Sequence, residues 1–142
     1  MGPLEADRAA ETRAWLHKAS QDLRGAEIDR RADPPFLEDV LFHAQQSAEK
    51  SLKAFLCWHD QPFRKTHNLI ELGEPCAKVD GTLEPILRKA AVLTEYAWKF
   101  RYPGDVEIIE TKEADEAMDL ARQVFDAVKL RLPKESHPIA GP

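Results

Sequence analysis

Apolar positions recur at three- and four-residue steps along most of this chain, a spacing that predicts helices. The longest clean run is FLEDVLFHAQQSAEKSLKAFLCWH, from Phe36 to His59. Val40, Leu41, Ala44, Ala48, Leu52 and Phe55 share one face of it, and neither Gly nor Pro interrupts it. Upstream, Trp15, Ala19, Leu23 and Ala26 form the stripe of a first helix that runs from Leu4 or Ala9 to Asp29, before Pro34 and Pro35 forbid continuation. Downstream, Asp60-Gln61-Pro62 breaks the chain. Thr66 then reads as the N-cap of a short third helix, His67 to Lys78, carrying Leu69, Ile70 and Leu72. Thr82 reads as the cap of a fourth helix, Leu83 to Tyr102, with Leu83, Leu87, Ala90, Leu93, Thr94 and Ala97 inward. Arg101 falls on the Leu83 meridian, so the pattern demands a partner or a wet cavity for its charge. Pro103-Gly104 stops that helix. Thr111 reads as the cap of the last one, with Glu113 at the positive end of its dipole. Ala114, Ala117, Met118, Ala121, Val124, Phe125, Val128 and Leu132 repeat along it in near-heptad fashion. Val106 to Ile109 is the one β-like tetrad, and it lies in a loop.

Five helical segments with short connections predict an all-α, mostly antiparallel bundle. A length of 142 residues fits one domain, placed at 1–132, with a polar, Pro-rich and mobile tail over 133–142. Twenty basic residues against 25 acidic ones give a net charge of −5, which argues against bulk, sequence-independent nucleic-acid binding but leaves room for a local basic strip. Cys57 and Cys76 form no CxxC pair, and reduced thiols in a cytoplasmic protein are the simplest reading. No apolar run is long enough to span a membrane, and the acidic N-terminus does not resemble a secretory signal. The five histidines show no zinc spacing, so we expect no metal site and no cofactor.

The candidate chemistry sits on the long helix. His43, Gln46, Lys50 and Lys53 fall within an arc of roughly 80° at about 100° per residue. One reading is a solvated face with a Glu49–Lys53 pair at i,i+4. The other is an anion site, in which Lys50 and Lys53 supply charge while His43 and Gln46 hydrogen-bond a phosphate, sugar or base. His67 and Arg101 would join it, and a helix N-terminus at Thr66 would suit a phosphate. Tyr96 and Tyr102 flank Arg101 and are suited either to stacking on a base or to packing at a dimer contact. Exposure of Trp58 or Trp98 would point to self-association.

Four pieces in this order, HAQQSAEKSLKAFL at 43–56, THNLIEL at 66–72, LTEYAWKFRYPGD at 93–105 and the Ala-rich last helix, resemble the HEPN family (higher eukaryotes and prokaryotes nucleotide-binding) from about Ala9 to Leu132. The resemblance implies a four-helix up-and-down core, a homodimer, and similarity to the helical C-terminal part of kanamycin nucleotidyltransferase. It also implies a nucleotide- or RNA-binding role beside a separately encoded minimal nucleotidyltransferase, in a toxin–antitoxin-like pair. On the matching motifs it singles out His43, Lys50, His67 and Arg101. Ribonuclease members of the family carry Arg, four to six residues, then His. Here that spacing occurs only at Arg131 and His137, with Pro133 between them, and not in the helical core. A non-catalytic binding protein is therefore the leading expectation. A metal-independent ribonuclease toxin and a bare dimerisation module are the alternatives.

Overall fold

The computed structural model describes residues 1–104 and 107–139. Its helices are α1 (Pro3–Arg31), α2 (Leu37–Trp58), α3 (Leu69–Val79), α4 (Glu84–Ala90) and α5 (Thr111–Leu130), with 3₁₀ turns at Gly81–Leu83, Ala91–Ala97 and Lys134–Ser136. Among the described residues there is no strand, so the architecture is the expected all-α bundle. No described helix is long and apolar enough to cross a membrane.

α2 is the central element. It packs most extensively on α1 and next on α5, and it also touches α3 and the Ala91–Ala97 turn. Its buried residues, which include Val40, Leu41, Ala44, Ser47, Ala48, Ser51, Leu52, Ala54, Phe55 and Leu56, wrap most of its circumference. Small side chains at Ala44, Ser47, Ala48, Ser51 and Ala54 let neighbouring helices approach closely. α1 runs antiparallel to α2, with Asp22 beside Lys50 and Arg8 beside Trp58. α5 runs antiparallel to α1, tied by Arg30 to Asp115 and by Arg122 to Glu27. In α1 the buried stripe is Ala9, Thr12, Leu16, Ala19, Leu23 and Ala26. Leu16, and not Trp15, leads it. Trp15 is half-buried at the shoulder, edge-on to Phe63 with ring centroids 6.0 Å apart.

The helix starts differ from the sequence expectation in three places. Asn68, not Thr66, caps α3, its Oδ1 accepting from the backbone N–H groups of Ile70 (2.9 Å) and Glu71 (3.2 Å). Thr66 instead supports the cap, its Oγ1 accepting from the Asn68 N–H. Asp80, not Thr82, holds the turn into α4 by accepting from the Thr82 N–H. At α5 the N-cap position is Glu110, with no side-chain cap bond. Asn and Asp outrank Thr at N-cap positions, which accounts for the first two.

The fourth helix is the larger departure. Only Glu84–Ala90 is α-helical, and Ala91–Ala97 tightens to 3₁₀. A 3₁₀ helix turns about 120° per residue, so an α-helical phase count slips by roughly 20° at each step. The buried residues accordingly run Ala90, Leu93, Tyr96, three apart, and Arg101 leaves the inner meridian on which α-helical counting put it. After Pro133 the chain makes a further turn that packs on α1. The Arg13 guanidinium donates to the Glu135 carbonyl at 2.9 Å, and Ser136 is buried. Residues 134–136 are thus tied to the bundle where a mobile tail was expected, and 140–142 lie outside the described residues, as does Val106 of the β-like tetrad.

Candidate functional site

The four polar residues placed in one arc of the long helix belong to two separate clusters. His43 and Lys50 face α1, where both meet Asp22. His43 Nδ1 donates to Asp22 Oδ1 at 3.0 Å, Lys50 Nζ donates to Asp22 Oδ2 at 2.7 Å, and His43 Nε2 lies 3.5 Å from Asp29 Oδ2. Burial opposes the Asp22 charge, but the hydrogen bonds from His43 and Lys50 outweigh it and hold the carboxyl below its ordinary pKa. The same bond to Asp22 raises the His43 imidazole above its ordinary value against burial, with the charges of Asp22, Asp29 and Asp39 adding to the effect. Gly25 makes room for this ring: a Cβ there would lie 3.0 Å from His43 Nε2.

The second cluster faces the loop before α3. Glu49 is 3 % exposed, and Lys53 Nζ donates to its Oε2 at 2.9 Å. His67 Nδ1 donates to Glu49 Oε1 at 2.7 Å while its own side chain is 64 % exposed. Gln45, fully buried, donates to Glu49 Oε1 at 3.2 Å and to the His67 carbonyl at 3.0 Å. Gln46 donates to Gln45 Oε1 at 2.6 Å. The Lys53 ammonium also lies 5.5 Å from the Trp15 ring centroid and 5.9 Å from that of Phe63. A carboxylate this deep persists because a lysine, an imidazole and an amide satisfy it together.

Arg101 belongs to neither cluster. Its guanidinium carbon sits 4.0 Å over the Phe42 ring, one helical turn before Gln45 and Gln46. Phe100, just before it, takes φ 65°, a conformation uncommon for a bulky residue and costing roughly 1–3 kcal/mol. The reversal buries the Phe100 ring and turns Arg101 outward. Tyr102 is 72 % exposed and Trp98 54 %. Tyr96, by contrast, is buried and donates its hydroxyl to Glu113 Oε1 at 2.7 Å, so it is not available for stacking. Burial first, then that carboxylate, pushes its pKa up.

Arg131 and His137 close the end of α5. Arg131 donates to the Ala127 carbonyl (2.8 Å) and to Thr82 Oγ1 (2.9 Å) and lies 3.2 Å from Asp80 Oδ2. His137 Nε2 donates to the carbonyls of Lys129 (2.8 Å) and Leu132 (3.1 Å). Ala127 and Lys129 belong to the last turn of α5 and Leu132 lies just beyond it, so both side chains serve as a clasp at the helix C-terminus.

Sequence reasoning missed Asp22, Phe42 and Gln45, and took Glu49 only as the surface partner of Lys53. The available signal was phase. Phe42, Glu49 and Lys53 fall within about 20° of one α2 meridian, whereas His43 and Lys50 share another about 80–100° away. Among the described residues, one surface cavity of about 480 Å³ lies between α3 and α4 against Leu69, Ile70, Gly73 and Leu87, and another of about 340 Å³ lies against Phe36, Leu37, Glu38 and Asp39. None of the predicted site residues lines either. Among the described residues no group of His, Cys, Asp and Glu could hold a metal ion.

Comparison with curated proteins and with solved structures finds no match. The family model for the HEPN domain matches residues 12–131, a span that runs from within α1 through α5 and takes in every cluster above except His137. The chain therefore belongs to the HEPN domain family, helical domains concerned with nucleotides and RNA.

Proposed function

We propose that this protein binds nucleotide or RNA through the Arg101–Phe42 shelf, without ribonuclease chemistry of its own, and acts as a homodimeric companion of a separately encoded minimal nucleotidyltransferase in a toxin–antitoxin-like pair. The observation that carries the binding reading is the guanidinium held over the Phe42 ring, 4.0 Å from its centroid, next to the exposed Tyr102. A planar cation on an aromatic base is a preformed stacking platform, tolerant of base identity, and costs little to order when a ligand arrives. The strained φ at Phe100 supports it, because strain of this kind persists where the surroundings enforce it. Exposed Trp98 and Ile70 offer apolar surface for self-association.

The alternative of a bare dimerisation module draws on a specific observation as well. Lys50 and Lys53, offered above as anion ligands, each already pair with an internal carboxylate. Calorimetric titration with AMP separates the two. On the binding reading Arg101→Ala weakens AMP at least tenfold with an unchanged melting temperature. An unaltered affinity, or no affinity in the parent protein, leaves the dimerisation module. Copurification with a minimal nucleotidyltransferase tests the partnership separately, and a chain that captures none removes that part of the reading.

A further inference from the structure

The Glu49–His67 pair has the form of a working dyad and has no role in the stacking shelf. Its carboxylate is buried, its imidazole is fixed through Nδ1, and Nε2, on the far side of a ring that is 64 % exposed, faces solvent. Gln45 bonds both the carboxylate and the His67 backbone, so the ring's position is set from two directions. The electrostatics are equally specific. Lys53 already neutralises Glu49 at 2.9 Å, so a proton on His67 leaves the cluster with one net positive charge, presented at Nε2. That suits an anion and not a metal ion.

Position completes the case. Phe42, beneath Arg101, and Glu49, beneath His67, lie seven residues apart on nearly the same α2 meridian, about 10 Å along the axis at 1.5 Å per residue. From these distances, and resting on the reading of Arg101–Phe42 as a stacking shelf, we infer that His67 is a second, phosphate-binding subsite. Together the two sites would take a ligand whose stacked base is followed by a phosphate beyond the reach of a mononucleotide's own. Either the next phosphate of a single-stranded oligonucleotide or the terminal phosphates of a nucleoside triphosphate has that chemistry. The Nδ1–H bond to Glu49 fixes the ring, and the second N–H of the protonated imidazole, at Nε2, is the donor to the phosphate. Gln46, one turn from Phe42 and bonded to Gln45, lies between the two subsites along the helix.

Calorimetric titration of the full chain with AMP, ATP and the ribodinucleotide pApA tests this. The expected result is that pApA, ATP or both bind at least tenfold more tightly than AMP. His67→Ala abolishes that gain while leaving AMP affinity unchanged, and Arg101→Ala weakens all three. His67→Gln, which keeps a hydrogen bond to Glu49 but carries no charge, controls for disturbance of the cluster and also loses the gain. Which ligand shows the gain identifies the source of the phosphate. Equal affinity for all three ligands, or a His67→Ala loss that includes AMP, overturns the second subsite and leaves the shelf standing. Failure of every ligand to bind removes the shelf and the subsite together.

Discussion

The two polar clusters of α2 are built from similar residues and live in different dielectrics. The α1-facing one, Asp22 with His43 and Lys50, is partly wet: the side chains are 12 %, 31 % and 22 % exposed. The loop-facing one buries its carboxylate and its lysine, Glu49 and Lys53, to 4 % and 9 %. Ion pairs in contact with water contribute little, because solvent competes for both partners. Buried ones contribute little net stability either, yet removing one partner strands a charge that nothing else can solvate. The first cluster is therefore a tunable contact, and the second is a structural commitment that fixes where His67 stands.

Breaking each lysine exposes the difference. Lys53→Met should destabilise the fold by about 3 kcal/mol, because Glu49, buried beyond the reach of water, keeps only His67 and Gln45 as partners. Lys50→Met should cost only about 1 kcal/mol, since His43 and water remain beside Asp22. Urea unfolding of both variants measures the gap. Adding Glu49→Gln to Lys53→Met should recover most of the larger loss, and a failure to recover would show that Lys53 acts through its packing on Trp15 and Phe63 instead.

The pH dependence sharpens the same contrast at a smaller scale. His43 has a raised folded pKa, so its contribution is full below the ordinary value of 6.5 and is lost as pH rises through the folded value. Asp22 has a depressed one, so its contribution is present above 3.8 and is lost as pH falls through the folded value. Stability from this cluster should thus peak on the mildly acidic side. Melting temperatures across pH 4–9 should show the alkaline decline in the parent protein and a flatter alkaline limb in His43→Gln. An identical limb in both would remove His43 as its cause.

The smallest effect is expected at Gly25. Gly25→Ala gains up to about 1 kcal/mol of helix propensity. It also brings a Cβ to 3.0 Å from His43 Nε2, but that is the far end of a side chain that can swing outward. The net change should be a slight stabilisation, with the His43 imidazole resonances titrating at lower pH by NMR as the contact to Asp29 is lost. A net destabilisation would mean the ring cannot yield.

Much of this arrangement could be read from the residues alone, and the rest could not for identifiable reasons. The long runs of α1, α2 and α5 carry an unbroken stripe over many turns, so one misjudged position changes nothing. The segment from Asp80 to Tyr102 depends on the local pitch, and the switch from α to 3₁₀ at Ala91 leaves no mark in composition. That switch decides whether Arg101 is buried or stands over Phe42. The site was legible as residue types and not as partners. The sequence singles out His43, Lys50, Lys53 and His67 as candidates, but Asp22 sits on another helix and cannot be matched to them without knowing how α1 meets α2. Gln45 was passed over for Gln46 because its burial arises from α3's approach, a tertiary fact.

The clasp between the segment after α5 and α1 has a consequence for how the chain is made. Arg13 waits for the carbonyl of Glu135, 122 residues further on. Synthesis at roughly 5–20 residues per second delivers α1 and α2 well before that carbonyl exists. The α1–α2 hairpin therefore waits with one flank uncovered, and the Arg13 contact forms only after residue 135 has been made. A protein shortened just before Leu132 would keep every helix of the bundle core but lose this clasp, leaving the N-terminal half of α1 around Arg13 open to proteases.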